Sequence, residues 1–375
     1  MKILIAPDKF RGSLTAAEVA EAIAEGIQTV IPECEVTKFP LADGGDGTAS
    51  ILTNHFKGEL VHIRVHNPVF EIIDAVYGYA EKIQTAFIEM SAASGLRLIP
   101  KEQQNPLHTS TLGTGEMIKD AINRGAQRIF LGIGGSATND AGTGMAAALG
   151  YKFLDIKGNE LKPAGGNLEY IHSINDSVLL FNPSSISVRV ACDVSNPLYG
   201  KNGAAYLYSP QKGATPEIVK KLDKGLRNFA RVVKDKFGKD VSKLPGAGAS
   251  GGLGAGAVVF LNASLTSGIK LVMEITGFED YLRTSNLVIT GEGKIDKQTF
   301  QGKVVDGVTQ LAKKYSIPVL AICGDLLIDD HELTRHGIKE ARSLVSYYGS
   351  VEQAMKNAGT GIKEVTRMIL KKFNQ

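Results

Sequence analysis

Tryptophan is absent from the 375-residue chain, and aromatic residues make up only 7% of it. A surface that stacks nucleobases depends on such rings, so their scarcity argues against one. Charge of one sign is lacking too: 42 Lys and Arg against 39 Asp and Glu leave a net +3. The basic residues are scattered and form no stripe, so no nucleic-acid partner is expected. Only three cysteines occur, Cys34, Cys192 and Cys323, far apart and in no metal-ligand spacing. That usage points to a reduced, cytoplasmic setting. Long apolar runs are missing as well. The first, within MKILIAPDKF, stops at Pro7-Asp8, too short for the core of a secretory signal. No stretch approaches the roughly 18 apolar residues of a membrane span, so no membrane partner is expected.

Several catalytic signatures are also absent. No GxxxxGK[ST] occurs, because Gly293-Lys294 and Gly302-Lys303 are followed by Ile and Val; this argues against a Walker-type phosphate loop. The protein-kinase motifs, HExxH and GxSxG are missing. Seven histidines show no paired ligand spacing and are expected to be structural or exposed.

What is abundant is glycine, 42 of 375 residues, about 11% against a usual 7% or so. It is concentrated in a few loops. With 43% hydrophobic and 22% charged residues, the chain can bury a large core, and its length suggests two domains or one with an insertion. KILIA (2–6) suits a buried strand ended by Pro7. Thr15-Ala-Ala-Glu18 is a capping box opening a helix with Val19, Ile23 and Ile27 on one face. CEVTKFPLA (34–42) reads as the next strand, giving β-α-β and hence a parallel sheet. From about residue 58 the texture changes: ELVHIRV, IIDAVYGYA and TAFIEM suggest antiparallel strands. A helix is expected at 113–124, strands at 128–133 and 187–192, a helix at 141–149 and a long amphipathic helix at 216–237. The βαβ rhythm returns with strands at 286–290, 318–323 and 343–348, a helix at 302–315, and a C-terminal helix carrying Ile362, Val365, Met368 and Ile369. The expected architecture is α/β: a Rossmann-like parallel-sheet domain from both chain ends (1–57 and 280–375) and an inserted α/β domain (58–279). The cleft between the two is the default ligand site.

The glycine loops carry the polar chemistry. Gly132-Ile-Gly-Gly-Ser-Ala-Thr-Asn-Asp140 follows a strand and precedes a helix, where small residues let backbone N–H groups approach an anion. The plainer alternative is a tight glycine turn. Asp43-Gly-Gly-Asp46-Gly47 also follows a strand; its two carboxylates suit ligand hydroxyls or Mg²⁺, or else an Asx-type turn. Asp193 is a lone carboxylate at a strand end. Thr290-Gly-Glu292-Gly-Lys294-Ile-Asp296, with Lys303 beyond, combines acid, base and glycine, as phosphoryl transfer requires; a surface ion pair is the alternative. Asp8, Lys9 and Arg11 lie in the first strand-to-helix loop. Gly246–Gly251 formally matches GxGxxG, but Pro245 precedes it and no strand does, so a dehydrogenase reading is weak.

Seven stretches, APDKFRGSLTA (6–16), PLADGGDGT (40–48), GTGE (113–116), GIGGSATNDAGTGMAAALG (132–150), ACDVSNPLYGKNGAA with SPQKGA (191–214), PGAGASGGLGAG (245–256) and TGEGKIDKQTFQGK (290–303), together resemble the bacterial-type (class I) glycerate kinase family. They run in order over nearly the whole chain. Arg11 stands where that family usually has Lys. The resemblance implies ATP- and Mg²⁺-dependent phosphorylation of D-glycerate, with 2-phosphoglycerate favoured over 3-phosphoglycerate as product. On this reading Gly134, Gly135, Ser136, Thr138 and Glu292 bind ATP phosphates. Asp193 or Asp296 serves as base or holds Mg²⁺, with Lys294 and Lys9 also catalytic. Asp43, Asp46, Arg11 and Lys303 contact the substrate. The oligomeric state is left open, with a homodimer among the options. The non-enzymatic alternative is a regulatory protein that binds a phospholigand or sugar acid.

Overall fold

The computed structural model describes residues 1–373. In chain order its strands are β1 (Lys2–Pro7), β2 (Glu35–Lys38), β3 (Glu59–His66), β4 (Ile72–Ala80), β5 (Thr85–Glu89), β6 (Arg128–Gly132), β7 (Lys152–Leu154), β8 (Ser173–Asn175), β9 (Ser187–Ala191), β10 (Ser264–Thr266), β11 (Leu287–Ile295), β12 (Val319–Leu326) and β13 (Ile338–Ser343). The chain divides into two compact units, one of Met1–Asp43 with Gly268–Gln375, the other Gly44–Ser267. These borders differ from the expected 57/58 and 279/280. Helix Thr48–His55 packs on β4 and β5 of the second unit, and helix Gly268–Thr276 packs on helix Val304–Lys314 of the first. Loop composition marks neither border, because tertiary packing decides which unit a short helix joins.

The first unit is a five-stranded parallel sheet in the order β13-β12-β11-β1-β2. Ile3, Leu4 and Ile5 are fully buried, which is why the central strand β1 reads as a continuous apolar run. Helix Ala16–Gln28 begins at the capping box: Thr15 N–H donates to Glu18 Oε2 (2.8 Å) and Glu18 N–H to Thr15 Oγ1 (3.3 Å). Helix Ala358–Phe373 packs tightly on it, for a Cβ at Gly26 would lie 2.6 Å from Thr366 Cβ. Ile362, Val365 and Ile369 of that helix are buried, but Met368 is 49% exposed, one position off the buried stripe. The strand expected at 343–348 is instead helix Leu344–Tyr348, capped by the Ser343 hydroxyl, with β13 ahead of it. An apolar run this short does not separate strand from helix. β11 in turn extends through Glu292 and Lys294 to Ile295, so these residues lie on a strand rather than in a loop.

The second unit is built on a six-stranded sheet in the order β10-β9-β6-β5-β4-β3. The β3-β4-β5 part is antiparallel as expected, and β5, β6, β9 and β10 run parallel. The amphipathic helix Pro216–Phe237 buries Val219, Leu222, Leu226, Phe229 and Val233, consistent with a solvated basic face opposite. The helix expected at 141–149 shortens to Thr143–Ala148 because Ala141 and Gly142 adopt positive φ. The GxGxxG stretch leads into helix Ala249–Phe260, which is kinked at Ser250–Gly252. Its glycines permit close approach: a Cβ at Gly251 would collide with the Thr138 carbonyl oxygen, and one at Gly256 with that of Ala141. This stretch therefore backs the Gly132–Asp140 loop.

Candidate active site

In the first unit, β1 is joined through helix Ala16–Gln28 to β2 on one side and pairs with β11 on the other. The connections change direction between β1 and β11, and the carboxyl ends of strands at such a switch point are where open parallel sheets bind ligands. Asp8 follows β1 directly, with its N–H bonded to the Gly291 carbonyl (2.8 Å). The residue is 8% exposed. Its carboxylate accepts the Lys9 N–H at 2.7 Å. Burial, and then the neighbouring charge of Asp43, pushes its pKa up to about 7, with Glu292 adding and Lys9 opposing. Glu292 is 6% exposed and lies 3.8 Å from Lys303 Nζ. Burial pushes its carboxyl up as well, with Asp296 and Asp43 adding and the Thr299 hydroxyl and Lys303 opposing. Its Oε1 is buried and has no hydrogen-bond partner among the described residues, so it asks for a donor from outside the fold. Asp296 is different. It is paired with Lys294 at 2.9 Å and accepts the Gln298 N–H at 2.8 Å, and the bond to Lys294 holds its carboxyl below the usual range.

In the second unit, Gly132 at the end of β6 is the register partner of Glu89 on β5 and of Ala191 on β9. The loops that follow these strands therefore leave the sheet on the same edge. Gly134 and Gly135 are exposed, and Gly135 has φ +72°. The Asp43–Gly47 loop contributes its second half here: a Cβ at Gly132 would lie 2.6 Å from the Gly44 carbonyl oxygen, and one at Gly135 would lie 3.9 Å from Asp46 Oδ1. Asp46 in turn receives the Ser91 hydroxyl at 3.4 Å and lies 3.4 Å from the Arg97 guanidinium. Beneath the loop is Lys212, 2% exposed. Its ammonium donates to Ser136 Oγ and to the Thr138 carbonyl, both at 2.7 Å. Burial pushes its pKa down to about 7 against the opposing charge of Asp140. Asp140 ties the loop to its surroundings, accepting from Thr111 N–H and Oγ1 (both 2.8 Å), Gly144 N–H (3.1 Å) and Gly142 N–H (3.2 Å).

Of the residues singled out from sequence, Lys9, Asp43, Glu292, Lys294, Asp296 and Lys303 gather at the strand ends of the first unit, with exposed Arg11 in the same β1-to-helix loop. Gly134, Gly135, Ser136 and Asp46 gather in the second. Asp193 is exposed two residues past β9; burial chiefly pushes the neighbouring Cys192 thiol up, with the Asp193 charge adding. Thr138 is fully buried, and it is its carbonyl that Lys212 uses. Sequence reasoning gave Asp8 no catalytic weight beside Lys9 and Arg11, and it passed over Lys212 and Arg97. Asp8 carried a signal, a carboxylate directly after a buried strand, and Lys212 lay in the SPQKGA stretch of the resemblance without a role of its own; Arg97 carried none. No group of three or more His, Cys, Asp or Glu converges as a metal site among the described residues. Mg²⁺ delivered with a nucleotide needs only one or two carboxylates besides phosphate oxygens. Exposed Asp193, beside the Gly132–Asp140 loop in strand order, has the donor chemistry for that.

Known proteins resemble this chain along its whole length. The model of the glycerate kinase family matches residues 3–374. A glycerate kinase of Halalkalibacterium halodurans is 44% identical over 367 residues, covering 98% of this chain and 97% of the relative. A glycerate 2-kinase of Escherichia coli strain K12 is 44% identical over 369 residues, with the same coverage of 98% and 97%. A crystal structure assigned as glycerate kinase 2 from Salmonella typhimurium LT2 superposes with a TM-score of 0.91 at 42% identity, covering 100% of this chain and 98% of the other. An α/β chain matched along its whole length by the family model and by these relatives belongs to the glycerate kinase family.

Proposed function

We propose that the protein transfers the terminal phosphoryl group of ATP to a hydroxyl of D-glycerate, giving 2-phosphoglycerate in preference to 3-phosphoglycerate. The observation that carries the reading is the buried pair Asp8 and Glu292 among Lys9, Lys294 and Lys303 at the switch point of the first unit. A small hydroxy acid needs cations for its carboxylate and a base for its reacting hydroxyl, and both are present. Lys9, Arg11, Lys294 and Lys303 take the glycerate carboxylate and the transferring phosphoryl oxygens. Asp8 takes the proton of the reacting hydroxyl, because a base with a pKa near neutrality combines availability with driving force. Asp296, already engaged by Lys294, is the poorer base. Buried Glu292 would repel a phosphate, so its orphan Oε1 is assigned to accept from a glycerate hydroxyl, with Asp43 beside it. Gly134, Gly135 and Ser136 approach the ATP phosphates, and Asp46 orients Arg97 toward them. Mg²⁺, held by Asp193 and the phosphates, would neutralise charge on the triphosphate. Catalysis is then mainly positioning and charge stabilisation.

The test is incubation with ATP, Mg²⁺ and D-glycerate, followed by ³¹P NMR of the product. A 2-phosphoglycerate resonance is expected; 3-phosphoglycerate alone would overturn the regiochemistry, and no phosphoglycerate at any metal or pH would overturn the activity.

A further inference from the structure

Lys212 carries an amine buried inside the second unit, 2% exposed. Its two hydrogen-bond partners, Ser136 Oγ and the Thr138 carbonyl, both belong to the Gly132–Asp140 loop, 74 to 76 residues away in sequence. Among the groups acting on it, Asp140 is the acidic one, its own carboxyl pushed up by burial against its hydrogen bonds from Thr111, Gly142 and Gly144; the other polar side chains bonded at this stretch, Asn139 and Ser209, pair with each other at 2.9 Å and are neutral. Thr138 Oγ1 and Asn139 Nδ2, at the same stretch, are buried without hydrogen-bond partners among the described residues. The loop thus contains polar groups that the fold leaves unmet.

We propose that Lys212 is a positioning residue that couples anion binding at the Gly132–Asp140 loop to uptake of one proton. The inference rests on the reading of that loop as the phosphate site. A protonated amine can only donate, so Nζ must donate to Ser136 Oγ, and the serine hydroxyl hydrogen is then turned outward for an anion. A neutral amine has a lone pair and can accept that same hydrogen, which withdraws it from a ligand. An arriving anion therefore favours the ammonium form and draws a proton from the buffer. Burial supplies the leverage. It brings the free amine to about 7, so the proton is largely absent above neutrality and returns with the ligand. In this way a chain without a Walker lysine places its cation underneath the loop, where it acts through a serine.

The experiment is calorimetric titration of the full-length protein with ATP, without glycerate, at pH 8 in two buffers of different ionisation enthalpy. The expected result is uptake of about 0.9 proton per ATP bound, the fraction that a group titrating near 7 lacks at that pH. Lys212→Met should bind ATP roughly tenfold more weakly or worse, the size of a lost charge-assisted hydrogen bond, and its remaining binding should take up no proton. Binding by the unaltered protein with no proton uptake overturns the coupling, and this measurement needs no variant to fold. If Ser136→Ala weakens ATP binding while Lys212→Met, equally well folded by circular dichroism, binds normally, the phosphate reading of the loop stands and the role of Lys212 falls. If neither substitution changes ATP binding, the phosphate reading itself falls, and the inference with it.

Discussion

Replacing Asp8 by Asn should make the enzyme more stable and nearly inactive. In the unfolded chain this carboxyl titrates near 3.8, and in the fold near 7, chiefly because it is buried beside Asp43. The folded state holds the proton more tightly, so the site costs little below about pH 4. The penalty grows as the pH rises toward 7 and is complete above it. Roughly three pKa units at about 1.36 kcal/mol each give about 4 kcal/mol. Asn is neutral throughout and keeps an oxygen to accept the Lys9 N–H, so it escapes the penalty. Denaturation of both proteins at several pH values should show matching stability near pH 4 and a gap opening to as much as about 4 kcal/mol by pH 8, with melting raised by several degrees. Turnover should fall by roughly 10²-fold or more with loss of the proposed general base. The unaltered enzyme should show an acidic limb in kcat/KM near pH 7 that the variant lacks. A variant less stable than the parent at pH 8 would refute burial as the origin of the shift. Near-normal turnover with an unchanged pH profile would remove Asp8 from proton transfer.

Other substitutions probe separate parts of the structure. Asp140→Asn breaks up four hydrogen bonds converging on one buried carboxylate, and should cost about 2–4 kcal/mol in chemical denaturation; unchanged stability would show that Thr111, Gly142 and Gly144 find other partners. Gly256→Ala pushes a methyl into the Ala141 carbonyl oxygen and should cost about 1–3 kcal/mol from overpacking; a rise in stability, as ordinary helix propensity would give, argues against close packing there. Glu292→Gln weakens the orphan acceptor and should raise KM for glycerate roughly tenfold while leaving KM for ATP unchanged; the opposite split would move Glu292 to the nucleotide.

The sequence by itself determined much that follows from local pattern. The apolar run ending at Pro7, the capping box Thr15–Glu18 and the amphipathic stretch Pro216–Phe237 became the elements that periodicity and capping chemistry dictate. The βαβ rhythm at both chain ends announced a parallel sheet, and the glycine loop Gly132–Asp140 does follow a strand, as expected. Short segments were less legible: Leu344–Tyr348 became a helix and Glu292–Ile295 the end of a strand, because neighbouring strands and caps outweigh the preferences of so few residues. Tertiary structure alone decided what the loops are made of. Burial by distant segments turned Asp8 from an ordinary carboxylate into one that titrates near neutrality and turned the Thr138 side chain inward. It also carried Lys212 beneath Ser136. Desolvation and charge proximity depend on what surrounds a group in space, and no spacing along the chain encodes them.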